Sequence, residues 1–204
     1  LSITPIDGRY ESQTKFLASY FSEFALIKTR VEVEIKWLLL ISNNNSLKFI
    51  PEISISQQKK IVNIYKEFSI HDARHVKKIE KKTNHDVKAV ELFIVEKLKK
   101  LKLNKLCEFV HFCCTSEDIN NLSYSLMLQR FISNEFLPEV NSLQKNLNSL
   151  AKNYSKVSML AFTHGQPASP TTLGKEFSNF SYRIKFHLDL IKSIKQKGKF
   201  NGAS

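Results

Sequence analysis

The stretch PTTLGKEFSNFSYRIKFHLDLIKSIKQKG, residues 170–198, decides the fold class of this 204-residue chain. Its apolar residues recur at steps of three and four, which is typical of one face of an α-helix: they are Leu173, Phe177, Phe180, Ile184, Leu188 and Ile191. We predict a helix that begins with Pro170 at its first position and ends near Gly198. Such a helix would be roughly 40 Å long, so it needs packing partners along its whole length.

Most of the sequence before this stretch shows the same helical period. We predict helices over about 22–41, from Ser54, over about 71–82, after Asp86, and from Thr115 onward, the last one kinked at Pro138. Residues 1–20 are predicted to form an extended arm, because Pro5 and the Asp7-Gly8 pair interrupt helices. No useful run alternates with period two, so the fold class is predicted to be all-α.

Two long helices cannot close a bundle. We therefore expect a small helical N-terminal domain with an extended arm at 1–111, followed at 112–204 by the first long helices of an oligomeric bundle domain that is truncated here. The remaining helices would come from further sequence, from other subunits, or from both.

The amino-acid composition limits the functions that this chain could have. A net charge of +12 makes a nucleic-acid partner more plausible, but the lysines are scattered and no base-reading motif is present. A basic helical nucleic-acid-binding module is therefore an alternative that depends on charge alone, and we expect no nucleic-acid partner. The longest apolar run, Trp37 to Ile41, is far too short to span a bilayer, so no membrane association is expected.

The cysteines favour a cytoplasmic location with reduced thiols. Cys107, Cys113 and Cys114 are odd in number and clustered, which makes a poor disulfide framework. A zinc site formed by these three and His111 lacks the paired CxxC spacing. His71 and His75, at i and i+4, have no third ligand at suitable spacing. We expect no metal.

Four polar clusters lie at breaks between predicted helices. Arg9 and Tyr10 offer a planar fork and a hydroxyl to a phosphate or carboxylate, or they belong to an ordinary surface turn. Asn84, His85 and Asp86 precede a helix whose free N–H groups suit an anion. The alternative is that Asn84 or Asp86 is a simple cap of this helix.

The other two clusters have similar alternatives. Thr115 and Ser116 place two hydroxyls at a helix start, where they can hold a carboxylate or phosphate, or Thr115 can form a capping box with Asp118. His164 lies beside Gly165 in a loop before a helix, where an imidazole is suited to general acid–base catalysis near neutral pH. A structural loop histidine is the alternative.

Together these clusters resemble adenylosuccinate lyases of the fumarase/aspartase superfamily, specifically the bacterial type. The similar stretches follow in order along nearly the whole chain: PIDGRY (5–10), KKTNHDVKAVE (81–91), EFVHFCCTSEDINNLS (108–123), THGQPASPTTLGKE (163–176) and NGA (201–203). TSEDINN and THGQP are each fairly specific, and all five in register are very specific.

The resemblance implies an activity and a set of roles. The family releases fumarate by β-elimination from adenylosuccinate, giving AMP, and from the succinylated aminoimidazole-carboxamide ribotide, without metal or redox cofactor. Arg9 and Tyr10 would contact the nucleotide phosphate, and Thr115 and Ser116 a substrate carboxylate. Asn84, His85 and Asp86 would line the nucleotide and succinyl site.

The catalytic pair of the family is only half present. His164 would be the general acid that protonates the departing nitrogen. The base is a serine on a GSSxMPxKxNP-like loop that this sequence does not contain, and Ser204 does not replace it. We therefore expect residues 1–204 to be inactive alone. The family forms homotetramers whose active sites are shared between subunits. A sister lyase acting on argininosuccinate or fumarate is an alternative that the DGRY and TNHDVKAVE stretches disfavour.

Overall fold

The computed structural model describes residues 2–202 and divides the chain into two compact units. The first comprises the residues up to Leu128 together with the segment from Lys197 onward, and the second comprises Gln129–Gln196. The predicted boundary at 111/112 therefore falls inside the first unit, and as a domain boundary it stays a prediction. Ala203, in the NGA stretch, and Ser204 lie outside the described residues.

Helices dominate both units, as the all-α fold class predicts. In chain order they are α1 Glu11–Thr14, α2 Ala18–Phe21, α3 Glu23–Ser42, α4 Ile55–Lys66, α5 Ile70–Thr83, α6 Asp86–Lys100, α7 Ser116–Phe131, α8 Leu137–Asn153 and α9 Leu173–Ser193. Shorter 3₁₀ segments occupy Lys15–Leu17 and Asn104–Phe109, and a π-turn occupies Ile132–Phe136. None of the helices within residues 2–202 is both long and apolar enough to cross a membrane.

The core of the first unit is built around α3, which packs against α4, α5 and α6. Its most buried large side chains include Ile35, Leu38, Ile61, Phe93 and Leu98. The predicted capping box at Ser54 and Gln57 is confirmed, and Ser69 and Asp72 form a second one at the start of α5. Both boxes satisfy backbone donors that a helix start leaves free.

The second unit contains α8, α9 and a two-stranded antiparallel hairpin of β1, Ser158–Thr163, and β2, Gln166–Thr172. Gly174 permits the close packing of α9 on the end of α8, because a Cβ there would lie 2.3 Å from the carbonyl oxygen of Ala151. The hydroxyl of Ser181 donates to Oδ1 of Asn148 at 2.7 Å.

Three local expectations differ from the structure. The predicted extended arm contains the short helices α1 and α2. The last helix begins at Leu173, capped by the side chain of Thr172, whereas Pro170 belongs to β2. The hairpin was not predicted, since two prolines in β2 masked its strand pattern; proline is tolerated there because a two-stranded sheet has only edge strands.

The kink predicted at Pro138 stays a prediction, but the helix changes type just before this residue. The π-turn Ile132–Phe136 immediately precedes α8, in which the proline occupies the first turn. Proline has no N–H to donate to the preceding turn, which explains why the regular α-helical pattern is broken there.

Candidate functional site

The first part of the candidate site lies between α5 and α6. Asn84 ends α5 in the left-handed conformation, with φ of 51°. The side chain of His85 caps α6, because its Nδ1 accepts from the N–H of Lys88 at 3.2 Å. The alternative from the sequence, a cap by Asn84 or Asp86, is therefore wrong for the start of α6. With Nδ1 acting as acceptor, the neutral ring carries its proton on Nε2, which makes Nε2 a donor.

The start of α7 lies beside His85. Nε2 of His85 is 3.4 Å from Oγ of Ser116, although 31 residues separate them in the chain. Both side chains belong to helix starts, where free N–H groups and the helix dipole favour an anion. The structure thus brings together two of the predicted substrate-binding groups, as neighbouring donors.

Asp86 is oriented by an arginine that the sequence did not single out. Arg30, whose side chain is only 6% exposed, forms an ion pair of 2.7 Å with Asp86, and its Nε donates to Oδ1 of Asn120 at 2.9 Å. Partial burial acts to raise the pKa of Asp86, but the charge of Arg30 and the N–H of Val87 outweigh it, and the net pKa is lowered. Asp86 is therefore ionised at neutral pH.

Arg30 could have been suspected from its position. It lies on α3 directly before the fully buried Val31, and a charged residue inside a buried helix requires a partner. That requirement predicts an acidic or amide partner but does not say which one, so the link to Asp86 and Asn120 needs the tertiary structure.

The Thr115 side chain is turned toward Asp118. Its hydroxyl and its backbone N–H both donate to Oδ2 of Asp118, each at 2.8 Å. The N–H of Asp118 donates to the carbonyl oxygen of Thr115 rather than to the hydroxyl, so only half of the alternative capping box forms. A hydroxyl has a single proton, and that of Thr115 is engaged, which leaves the Ser116 hydroxyl as the better placed donor for a ligand.

Arg9 and Tyr10 lie in a turn near the N-terminus. The turn is held by Asp7, whose carboxylate accepts from the N–H of Thr4 at 2.7 Å, and the guanidinium of Arg9 is 5.6 Å from the centre of the Tyr10 ring. Within residues 2–202, no hydrogen bond or ion pair joins these two residues to His85 or Ser116. Their predicted contact with a nucleotide phosphate stays a prediction.

His164 belongs to the second unit and occupies the tip of the hairpin. Thr163 pairs with Gln166, so His164 and Gly165 form a two-residue turn, with φ of 51° and 73°. Two successive positive φ angles are typical of a type I′ turn, which suits the twist of a hairpin. The imidazole is exposed and has no hydrogen-bond partner in the part of the chain that the structure describes, so its nitrogens are accessible.

Two of the three histidines considered for metal binding, His75 and His111, have carboxylate partners. Nδ1 of His111 lies 2.5 Å from Oε1 of Glu34, and Nε2 of His75 lies 2.6 Å from Oε2 of Glu96. The hydrogen bond that His111 donates to Glu34 raises the pKa of His111 despite the opposing effect of burial. Burial raises the pKa of the Cys114 thiol to about 12, which makes this cysteine a poor thiolate ligand at neutral pH.

Comparison with known proteins agrees with this architecture. The sequence model of a family described as lyase matches residues 8–204, and the chain belongs to that lyase family. It is 43% identical to the adenylosuccinate lyase of Haemophilus influenzae over 99% of this chain and 44% of that protein. It is 44% identical to that of Buchnera aphidicola from Schizaphis graminum over 100% of this chain and 45% of that protein. The chain thus spans less than half the length of these relatives.

Solved structures of more distant proteins share the fold. A fumarate lyase from Mesorhizobium sp. BNC1 superimposes with a TM-score of 0.73 at 18% identity, covering 93% of this chain and 43% of that one. A β-carboxy-cis,cis-muconate cycloisomerase from Acinetobacter calcoaceticus gives a TM-score of 0.67 at 20% identity, with the same coverage of 93% and 43%. At these identities the similarity shows the fold alone.

Proposed function

We propose that this chain is part of an adenylosuccinate lyase. The enzyme would release fumarate from adenylosuccinate to give AMP, and from the succinylated aminoimidazole-carboxamide ribotide of purine synthesis. The observation that carries the proposal is the 41–44% identity to proteins of that name over at least 99% of the chain. The adjacent donors of His85 and Ser116 at two helix starts are consistent with an anionic substrate.

The proposed reaction assigns different tasks to the two histidines. Elimination removes a proton from the carbon beside a carboxylate, forms the double bond of fumarate, and breaks the C–N bond, so the departing nitrogen must gain a proton. His164, exposed at the hairpin tip, would supply that proton as general acid. His85 would act as a donor through Nε2, because its Nδ1 is engaged as a helix cap.

The remaining residues would bind the substrate. Ser116 would donate to a substrate carboxylate, with Thr115 beside it, and Arg9 and Tyr10 would contact the phosphate. Asn84, His85 and Asp86 would line the nucleotide and succinyl site. Helix starts and fixed donors of this kind stabilise negative charge that develops during the reaction.

The proposal extends to assembly and location. We propose a homotetramer in which each active site is shared between subunits and completed by a serine base from sequence not contained here. Several large apolar side chains of α9 are exposed, among them Phe180, Tyr182 and Phe186, which is consistent with subunit contacts. We place the enzyme in the cytoplasm, consistent with three free cysteines.

The test is a substrate comparison with the full-length enzyme. Purified enzyme would be mixed separately with adenylosuccinate, argininosuccinate and fumarate, and the products identified by chromatography and mass. We expect AMP and fumarate in equal amounts from adenylosuccinate, and no turnover of the other two. Conversion of argininosuccinate or hydration of fumarate would assign the chain to a sister lyase instead. Residues 1–204 alone should give no turnover.

A further inference from the structure

The carboxylate of Asp118 joins two segments that are distant in the sequence. Its Oδ2 accepts both hydrogen bonds from Thr115, while its Oδ1 accepts from the ammonium group of Lys199 at 3.3 Å and from the N–H of Asn201 at 3.2 Å. The side chain is completely buried. Both oxygens are thus engaged, one by each segment.

The segment from Lys199 to Gly202 is held at further points beside α7. The amide side chain of Asn121 accepts from the N–H of Lys199 at 2.8 Å and donates to its carbonyl oxygen at 3.2 Å. Gly202 lies next to Thr115, because a Cβ built on it would be 3.8 Å from the Thr115 methyl group. The segment therefore lies directly against the turn that carries Ser116.

These contacts keep the buried carboxyl group of Asp118 ionised. Burial alone would raise its pKa, but the two hydrogen bonds from Thr115, with those from Asn201 and Lys199, hold the pKa far below its usual range. A buried ionised carboxylate is stable only when it is fully hydrogen-bonded. Loss of either segment would leave it short of partners and weaken its hold on the other.

We propose that Asp118 is a positioning residue: it holds the Thr115 turn with one oxygen and the Lys199–Asn201 segment with the other, so that Ser116 is correctly presented only when this segment is in place. This inference rests on the proposed function. Thr115 then acts indirectly, because its proton points into Asp118, and Ser116 is the donor that contacts the substrate carboxylate.

The chain contains a matched control for this arrangement. In α5, Oδ2 of Asp72 accepts from the N–H of Ser69 at 3.0 Å and from its hydroxyl at 2.8 Å, and Oδ1 accepts from Lys97 at 2.7 Å. The chemistry of this group matches that of Asp118, but no hydrogen bond links it to a predicted site residue within the described part of the chain. A change at Asp72 thus reports the cost of disturbing a capping carboxylate alone.

The experiment compares Asp118→Asn with Asp72→Asn in the full-length enzyme. For Asp118→Asn we expect KM for adenylosuccinate to rise at least about tenfold, with a smaller fall in kcat, because the donor at Ser116 is displaced. Amide hydrogen exchange at Thr115, Lys199 and Asn201, whose N–H groups are hydrogen-bonded in this arrangement, should accelerate together by about tenfold or more. Asp72→Asn should change KM by less than about twofold.

A second pair of variants covers the case in which Asp118→Asn does not fold. Lys199→Met should raise KM and speed amide exchange at Thr115, whereas Lys97→Met should do neither. Equal KM values within each pair, or amide exchange at Thr115 unaffected by Lys199→Met, would overturn the role of Asp118. If the unsubstituted enzyme turns over no adenylosuccinate at all, the proposed function itself fails, and this inference fails with it.

Discussion

Glu34, whose side chain is fully buried in α3, lies 2.5 Å from Nδ1 of His111. His111 has a φ of 61° and precedes the turn that carries Thr115 and Ser116. The pair therefore fastens that turn to the central helix of the first unit. The second oxygen of Glu34 is buried without a hydrogen-bond partner among residues 2–202, so the carboxylate depends on His111.

This pair predicts a pH dependence of stability. The pKa of His111 is raised above its ordinary value of 6.5, mainly by the hydrogen bond that it donates to Glu34. A group whose pKa is higher in the folded state stabilises that state below its unfolded pKa, and the benefit is lost as pH rises through the folded pKa. We expect the free energy of unfolding to decrease above about pH 6.5, as measured by urea denaturation.

The matched variants are His111→Gln and His75→Gln. The first should lower stability at acidic pH by about 1–3 kcal/mol and flatten the pH dependence above 6.5. The second removes an exposed pair with Glu96 and should cost about 0–1 kcal/mol. An unchanged pH profile in His111→Gln would contradict the assigned role of the pair.

The two hydroxyls at the start of α7 should respond differently to substitution. Ser116→Ala removes the donor beside His85 and leaves the Asp118 contacts intact, so KM should rise by about tenfold while the melting temperature is unchanged. Thr115→Ser keeps the hydroxyl that donates to Asp118 and should preserve KM. Steady-state kinetics and thermal unfolding of the full-length enzyme check both, and an unaltered KM in Ser116→Ala would count against this site.

His164→Ala should lower kcat without changing the stability of the fold. The imidazole is exposed at a hairpin tip, so its loss costs little packing, whereas a general acid contributes about 10²–10⁴ in rate. We expect kcat to fall at least about a hundredfold at an unchanged melting temperature. His71→Ala, in an exposed position on α5, serves as control, and near-normal turnover by His164→Ala would exclude the acid role.

Replacement of either Gly174 or Gly165 in the second unit by alanine should lower the stability, for different reasons. At Gly174 the added Cβ would meet backbone atoms of Ala151 and Ser155 at 2.3 and 2.6 Å, and we expect a loss of about 1–3 kcal/mol or more. At Gly165 nothing lies within 4 Å, but φ is 73°, which costs an alanine about 1–2 kcal/mol. Gly165→Asn should be milder, because asparagine tolerates positive φ; equal losses in the two Gly165 variants would contradict the conformational argument.

The sequence predicts those parts of the fold that local patterns determine. Helical periodicity identifies α3 to α7 closely, and the Ser54-x-x-Gln57 pattern identifies the start of α4. The sequence does not predict the hairpin, because proline is common at the first position of a helix and two prolines lie in β2. Strand pairing also depends on contacts between distant residues, which hydrophobic periodicity does not reveal. The same limit applies to α9, whose start is set by Thr172 rather than by Pro170.

The candidate site shows a similar division. Residue type and position at helix starts point to His85 and Ser116, but their proximity depends on how α5, α6 and α7 pack. Arg30 and Asp118 were missed as organising residues, because a buried charge becomes informative only when its partners are known. The roles of His85 and Ser116 in binding stay predictions, as do those of the other site residues, including Arg9, Tyr10 and His164.

The two-residue turn at His164 also limits which insertions and deletions this part of the gene can tolerate. Adjacent residues of a strand point to opposite faces, so one codon inserted or deleted in the turn would invert the side chains that follow it unless a second register shift, like the one between Leu160 and Phe162, absorbed the change. Related enzymes should therefore vary in length elsewhere, for example around Asn43–Asn45, while the spacing between β1 and β2 stays constant.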